Sequence, residues 1–167
     1  MAVLEYVRQQ LYFLAAVSIL SLPFVHPFGP VKQQHSEALL DGVEGDNTGV
    51  RSLLERACQN CHSQRTQWPL YSYLPPVSWA VEHDVADARE HMDLSRWDTY
   101  SAEQKQDLLA RIGAEVRNHQ MPLPRYVLLH PEARLSDLEI QAIYEWTKAQ
   151  RRALKKSTMT GNKPDRG

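Results

Sequence analysis

The chain has little of the residues that mark several common classes of protein. Its 167 residues include two cysteines, too few for a disulfide-dense scaffold, and its seven glycines and ten prolines exclude collagen-like and low-complexity chains. The formal net charge is −1, so the whole chain lacks the positive excess of a nucleic-acid-binding domain. This length is typical of one domain that buries a sizeable core without cross-links.

The sequence also lacks the alternation of apolar and polar residues that marks half-buried strands. Apolar residues recur instead at helical spacing, and Ser-x-x-Gln/Glu patterns at Ser101 and Ser136 predict two helix starts with capping boxes. We therefore expect an all-α domain. Further helices are predicted over 50–58 and 77–91, and the proline-rich residues 63–76 and 120–131 are predicted to be loops.

The N-terminal region holds an uncharged run that is short for a membrane span. A helix over the fifteen residues Leu11–Val25 covers roughly 22 Å, against about 30 Å of hydrocarbon. Because no small-residue cleavage site follows Val25, residues 1–29 are expected to be an uncleaved signal anchor. A cleaved signal peptide and a buried core helix are the alternatives, and either targeting interpretation exports the rest of the chain.

Charge is distributed unevenly along the chain. Residues 31–150 hold twelve Lys and Arg against eighteen Asp and Glu, whereas residues 151–167 hold six against one. We expect residues 30–47 to be a linker and residues 48–153 to be the functional domain. Residues 154–167 are expected to be a disordered basic tail, because they contain few apolar side chains.

The two cysteines stand in a C-x-x-C-H pattern formed by Cys58, Cys61 and His62, which is the attachment signature of c-type haem. Thiols one helical turn apart can each add to a vinyl group on one edge of a porphyrin. The imidazole of the adjacent His62 can then ligate the iron. The sequence therefore predicts one haem c, covalently bound through Cys58 and Cys61.

Three other interpretations of this pattern stay open. A thioredoxin-like dithiol needs a βαβ context, which the sequence does not show. A zinc site needs a fourth ligand, such as His83 or His91. A structural disulfide is disfavoured by the two-residue gap within a helical turn.

A six-coordinate iron needs a second axial ligand, and Met121 is the preferred candidate. It begins a Met-Pro-Leu-Pro sequence about sixty residues after His62, and its prolines would stiffen a loop that lies across the open haem face. The alternative role of Met121 is to fill a gap in the core. The other candidate ligands are His83, His91, Met92, His119, His130 and Met159.

Aromatic residues that follow the motif are candidate contacts of the porphyrin ring. Trp68, Tyr71 and Trp79 lie within twenty residues of His62, and their polar edges can donate hydrogen bonds. Arg65 is a candidate partner of a haem propionate, because its planar guanidinium binds carboxylates in a fork. The alternative is that the aromatic residues are simply part of the core.

Several motifs occur together in one order along the chain. They are Cys58-x-x-Cys61-His62-Ser63, Thr66-x-Trp68-Pro69-x-Tyr71, Pro76-Val77-Ser78-Trp79 and Met121-Pro122. Over roughly residues 45–150 this combination resembles the bacterial haem-binding domain family of cytochrome c-like proteins. The resemblance implies a small cytochrome c-like helical domain with a single covalent haem, tethered to the inner membrane and facing the periplasm. It also implies a redox partner, for which a di-haem cytochrome c peroxidase is a candidate.

The sequence leaves three functions to be distinguished. The first is a membrane-tethered mono-haem electron carrier without enzyme activity, whose iron is saturated by His62 and Met121. Its acidic body suits a basic partner surface. The second is a haem sensor or peroxidase-type enzyme with an exchangeable distal ligand. The third is a haem-free dithiol redox protein.

Overall fold

The computed structural model describes residues 1–25 and 48–161, and within them every regular element is a helix and none is a strand. The all-α prediction is therefore confirmed for this part of the chain. The predicted linker at 30–47 lies outside the described residues. The α-helices are α1 (Ala2–Ser21), α2 (Thr48–Ala57), α3 (Gln59–His62), α4 (Val77–His91), α5 (Ala102–Arg117), α6 (Pro124–Leu129) and α7 (Asp137–Gly161). Short 3₁₀ helices cover Leu22–Phe24, Leu70–Tyr73, Leu94–Thr99 and Pro131–Ala133.

The described residues fall into two units, of which the first takes in residues 1–25 and 67–87. In this unit α1 ends at Ser21, just before a 3₁₀ turn that contains Pro23. The indole Nε1 of Trp79 donates to the carbonyl oxygen of Val25 over 2.7 Å. Among the described helices, none combines the length and the apolar character that a membrane crossing requires. The predicted anchor helix is therefore not confirmed.

The second unit takes in residues 48–66 and 88–161 and has one apolar core. Helices α2, α5 and α7 supply most of it, and the segment that follows α4 supplies the remainder. Burial of such side chains stabilises the unit by about 25 cal/mol per Å² of apolar surface. The buried core residues are Val50, Leu54, Met92, Leu94, Trp97, Leu109, Ile112, Val116, Ile143 and Trp146.

Both predicted capping boxes are present. The Ser101 hydroxyl accepts from the backbone N–H of Gln104, and the Gln104 side chain accepts from the backbone N–H of Ser101. At the start of α7, Ser136 and Glu139 exchange the same pair of hydrogen bonds. Each box satisfies two backbone donors that a helix start otherwise leaves unpaired, so these short patterns fix where α5 and α7 begin.

Two expectations about irregular segments are wrong. The predicted loop 120–131 contains α6, which starts at Pro124, because proline is well tolerated in the first turn of a helix. The predicted disordered tail is helical as far as Gly161, and residues 162–167 lie outside the described residues. Leu154 packs against the core, and its neighbours include the helix formers Ala153 and Lys155, which explains the continuation of α7.

Helices α5 and α7 approach closely at Gly113. A Cβ at this position would lie 2.7 Å from Thr147 Oγ1 and 3.4 Å from Tyr144 Cδ2. The Thr147 side chain cannot move away cheaply, because it is buried and its hydroxyl donates to the carbonyl oxygen of Tyr144. Glycine therefore sets the distance between the two helices.

We expect Gly113→Ala to lower the free energy of unfolding by about 1–3 kcal/mol, because the overpacking outweighs the better helix propensity of alanine. Urea unfolding followed by circular dichroism measures the change. Gly49→Ala is the matched control, since no atom lies within 4 Å of a Cβ there. Equal stability of the two variants would contradict the close approach.

Candidate functional site

The C-x-x-C-H residues occupy the junction of α2 and α3. The backbone N–H of Cys58 donates to the carbonyl oxygen of Leu54 over 2.9 Å, which continues the hydrogen bonding of α2. The carbonyl oxygen of Cys58 accepts from the N–H of Cys61 (3.3 Å) and of His62 (2.9 Å). These bonds confine both cysteines and the histidine to a single helical turn, as the motif predicts.

The two cysteines are not joined in a disulfide, and both are partly buried. Cys58 packs against the core of the second unit. Burial raises the pKa of the Cys58 thiol to about 12, and the nearby Cys61 adds to the rise. Dithiol oxidoreductases depend on a cysteine whose pKa is lowered, so this environment does not favour the dithiol alternative.

The ring of His62 is held through its Nδ1 atom. Nδ1 lies 3.0 Å from the carbonyl oxygen of Ala88 and 3.2 Å from that of Met92, at the end of α4. Carbonyl oxygens only accept hydrogen bonds, so Nδ1 carries the proton and Nε2 carries the lone pair of the neutral ring. Histidines that bind metals are typically oriented in this way, with the second ring nitrogen donating to a backbone carbonyl.

The residues after His62 are fastened in two directions. Back towards α3, the Ser63 hydroxyl donates to the carbonyl oxygen of Gln59 (2.8 Å) and the Thr66 hydroxyl to that of Asn60 (2.6 Å). Towards the end of α4, Arg89 donates from Nε to the carbonyl oxygen of Ser63 and from Nη2 to Thr66 Oγ1, both over 2.8 Å. Residues 63–66, called the 63–66 segment below, are therefore fixed on both sides.

Met121 lies in the turn that follows α5, where its N–H donates to the carbonyl oxygen of Glu115 over 3.3 Å. Its side chain is partly buried. Five residues later, the Tyr126 hydroxyl accepts from Asn60 Nδ2 over 2.8 Å, so α6 contacts the C-x-x-C-H turn directly. Tyr126 also stacks on His130 with ring centroids 4.3 Å apart. The helix after Met121 thus adjoins the motif, and ligation by Met121 stays a prediction.

The other predicted site residues divide between the two units. Trp68, Tyr71 and Trp79 are partly buried residues of the first unit. Arg65 belongs to the second unit and is exposed, and its backbone N–H donates to Ser63 Oγ over 3.1 Å. The proposed contacts of these four side chains with a haem stay predictions.

The two histidines named as candidates for a fourth zinc ligand belong to different units. His83 belongs to the first unit, where its Nδ1 lies 3.8 Å from Asp84 Oδ1, and His91 is exposed at the end of α4. Among the described residues, no three His, Cys, Asp or Glu side chains form a group arranged to hold a metal ion. The zinc alternative thus gains no support.

Sequence analysis missed two arginines that fasten the site. Arg56, two residues before Cys58, donates to the carbonyl oxygens of Glu132 and Arg134 and pairs with the Glu139 carboxylate. Arg89 holds the 63–66 segment. The partners of Arg56 lie 76 residues or more away along the chain, and those of Arg89 lie 23 or more away. A local sequence pattern cannot predict contacts over such separations.

Comparison with known proteins agrees with the motif. A family profile described as "Haem-binding domain" matches residues 17–149. The cytochrome c peroxidase Ccp of Escherichia coli (strain K12) is 24% identical over 123 residues, which are 72% of this chain and 26% of that protein. The chain thus spans about a quarter of the length of this curated relative. No solved structure matches the chain.

Proposed function

The chain belongs to the haem-binding domain family, and we propose that it is a mono-haem electron carrier with a covalently attached haem c. Cys58 and Cys61 would hold the haem through two thioether bonds, and His62 would ligate its iron. When bound, the haem supplies a one-electron couple between ferric and ferrous iron. The protein supplies the attachment, the ligands and the charges that set the reduction potential.

The observation that carries this proposal is the orientation of His62. Its Nδ1–H faces the carbonyl oxygens of Ala88 and Met92, which leaves Nε2 as the basic nitrogen of the ring. This tautomer is the one that leaves Nε2 able to bind a metal ion. The adjacent thiols in the same turn make c-type attachment the simplest use of the arrangement.

The chemistry of attachment fits the two cysteines. Each thiol would add across one vinyl group, with the sulfur bonded to one carbon and the proton on the other, without net oxidation or reduction. The two sulfurs are not joined in a disulfide, and both residues are partly rather than fully buried. Access to both sulfurs is one condition of their covalent modification.

Met121 would supply the second protein ligand of the iron in this proposal. Support comes from its partly buried side chain and from the hydrogen bond between Asn60 and Tyr126, which holds the following helix against the motif. Methionine–histidine ligation raises the reduction potential relative to two histidines. With both protein ligands in place the haem would supply electron transfer alone, so enzyme activity is not part of the proposal.

We propose the periplasmic side of the inner membrane as the location, with α1 in contact with the lipid. The exposed apolar side chains of α1, such as Leu11, Phe13 and Leu14, support this contact. The acidic residues of the domain suit a redox partner with a basic surface. A di-haem cytochrome c peroxidase is the candidate partner.

A second candidate function is a peroxidase-type enzyme or haem sensor with an exchangeable distal ligand. The similarity to the Escherichia coli peroxidase favours it, although the match covers 26% of that protein. The two candidates differ at one position of the iron. A carrier keeps a methionine there, whereas an enzyme or sensor admits carbon monoxide or peroxide.

Purification of the full chain from cells with an intact cytochrome c maturation system tests both candidates. The carrier is expected to show the mass of one added haem, a haem-stained band on a denaturing gel and the weak far-red band of a methionine–iron bond. Its ferrous form should not bind carbon monoxide. Ready binding of carbon monoxide would support the enzyme or sensor instead, and a colourless protein would refute both. In the same cells, haem stain in the membrane fraction tests the contact of α1 with lipid.

A further inference from the structure

Two charged side chains at and just after the end of α4, Arg89 and Asp93, form hydrogen bonds with the 63–66 segment that follows His62. Resting on the haem function proposed above, we infer that Arg89 is a positioning residue for His62 and that Arg89 and Asp93 together set the charge beside this ligand. We infer this role from the hydrogen bonds of the two side chains. Neither residue belongs to the haem-attachment signature.

Arg89 joins the two parts of the chain that hold His62. Its neighbour Ala88 provides the carbonyl oxygen that lies 3.0 Å from His62 Nδ1. The guanidinium of Arg89 donates from two different nitrogens, one to the carbonyl oxygen of Ser63 and one to Thr66 Oγ1. One turn of α4 thus holds the imidazole and, through Arg89, the backbone that continues from it. A fork with two donors restricts the rotation of the 63–66 segment better than a single hydrogen bond does.

Asp93 holds the same segment from the next turn of the chain. It is 4% exposed, its Oδ2 accepts from Gln64 Nε2 over 2.8 Å and its Oδ1 accepts from the backbone N–H of Ser95 over 2.9 Å. The backbone N–H of Gln64 in turn donates to Ser95 Oγ over 3.0 Å. The segment after His62 is therefore held by a partly buried cation and a buried anion.

The two charges have opposite effects on a neighbouring iron. Ferric iron carries one more positive charge than ferrous iron, so a cation nearby favours the ferrous form and an anion favours the ferric form. Such effects are larger for buried charges, because water screens them less. Burial lowers the pKa of the Arg89 guanidinium, whereas the charges of Asp93 and Cys61 raise it, and the group stays cationic at every ordinary pH.

The test is potentiometric titration of the haem-loaded full chain. Arg89→Gln is expected to shift the midpoint potential to a lower value, equivalent to about a tenfold change in the ferric-to-ferrous ratio, or about 59 mV for one electron. Asp93→Asn is expected to shift it to a higher value. Arg89→Lys retains the charge and should stay close to the wild type. Arg111→Gln, which removes an exposed guanidinium from α5, is the matched control and should leave the potential unchanged.

Opposite shifts distinguish this role from simple damage to the fold, which would move both variants in the same direction. The inference is overturned if Arg89→Gln and Asp93→Asn shift the potential alike, or if neither shifts it more than Arg111→Gln does. If Arg89→Gln does not load haem, two other results test the inference. Asp93→Asn should still shift the potential upward, and Arg89→Lys should keep the wild-type potential. A wild-type protein without covalent haem would refute the proposed function instead, so the two failures are distinguishable.

Discussion

The double variant Cys58→Ala/Cys61→Ala, purified from cells that attach haem to the wild type, is expected to carry no covalently bound haem. Thioether bonds need both sulfurs, and this chain has no other cysteine to replace them. Intact-protein mass and haem stain on a denaturing gel measure the loss. The effect is complete rather than partial, which makes it the largest that the proposed function predicts.

Matched controls separate this loss from damage to α3. Gln59→Ala changes a side chain in the same turn and should retain the haem. Each single cysteine variant should retain at most one thioether bond. Covalent haem in the double variant at the wild-type level would disprove attachment through these sulfurs.

Met121→Ala should lower the reduction potential by on the order of 100 mV or more and open the iron to carbon monoxide, while covalent attachment persists. The reason is that a thioether stabilises ferrous iron and occupies a coordination position. Titration and carbon monoxide difference spectra measure the two effects.

Met121→His and Met159→Ala refine the interpretation of this experiment. A histidine at position 121 refills the coordination position, so this variant should show a lowered potential without binding of carbon monoxide. Met159 is 66% exposed near the end of α7, and its substitution should change neither property. An unchanged spectrum of Met121→Ala would rule out Met121 as a ligand and return attention to the histidine candidates.

Local patterns in the sequence predicted those parts of the fold that depend on neighbouring residues. The capping boxes at Ser101 and Ser136 form as predicted because their partners lie three residues away. The turn that contains Cys58, Cys61 and His62 follows equally from spacing. In each case the chemistry of a few adjacent residues determines the structure.

Amino-acid composition gave wrong predictions of secondary structure in two segments, because tertiary packing and position in a helix determine the structure there. The scarcity of apolar residues after 153 suggested disorder, but Leu154 packs against the core and helps to continue α7. The prolines around 122–124 suggested a loop, although one of them begins α6. Proline and lysine frequencies do not reveal whether a proline stands at a helix start or whether one leucine reaches the core.

The contacts that fasten the site were beyond the reach of sequence analysis. Arg56 meets Glu139, 83 residues away, and Arg89 meets Ser63, 26 residues away. Arg65 was selected because its planar guanidinium suits a haem propionate, and that contact stays a prediction. Contacts between residues this far apart along the chain depend on the fold, so the sequence next to Arg56 or Arg89 does not indicate them.

The hydrogen bond between Asn60 and Tyr126 changes how the spacer of the attachment motif is understood. The motif itself places no requirement on the identity of the two residues between the cysteines. Here the second of them binds a distant helix, so its replacement would release α6 as well as alter the spacer. In descendants of this protein, the amide at position 60 and the hydroxyl at position 126 should therefore be inherited or lost as a pair.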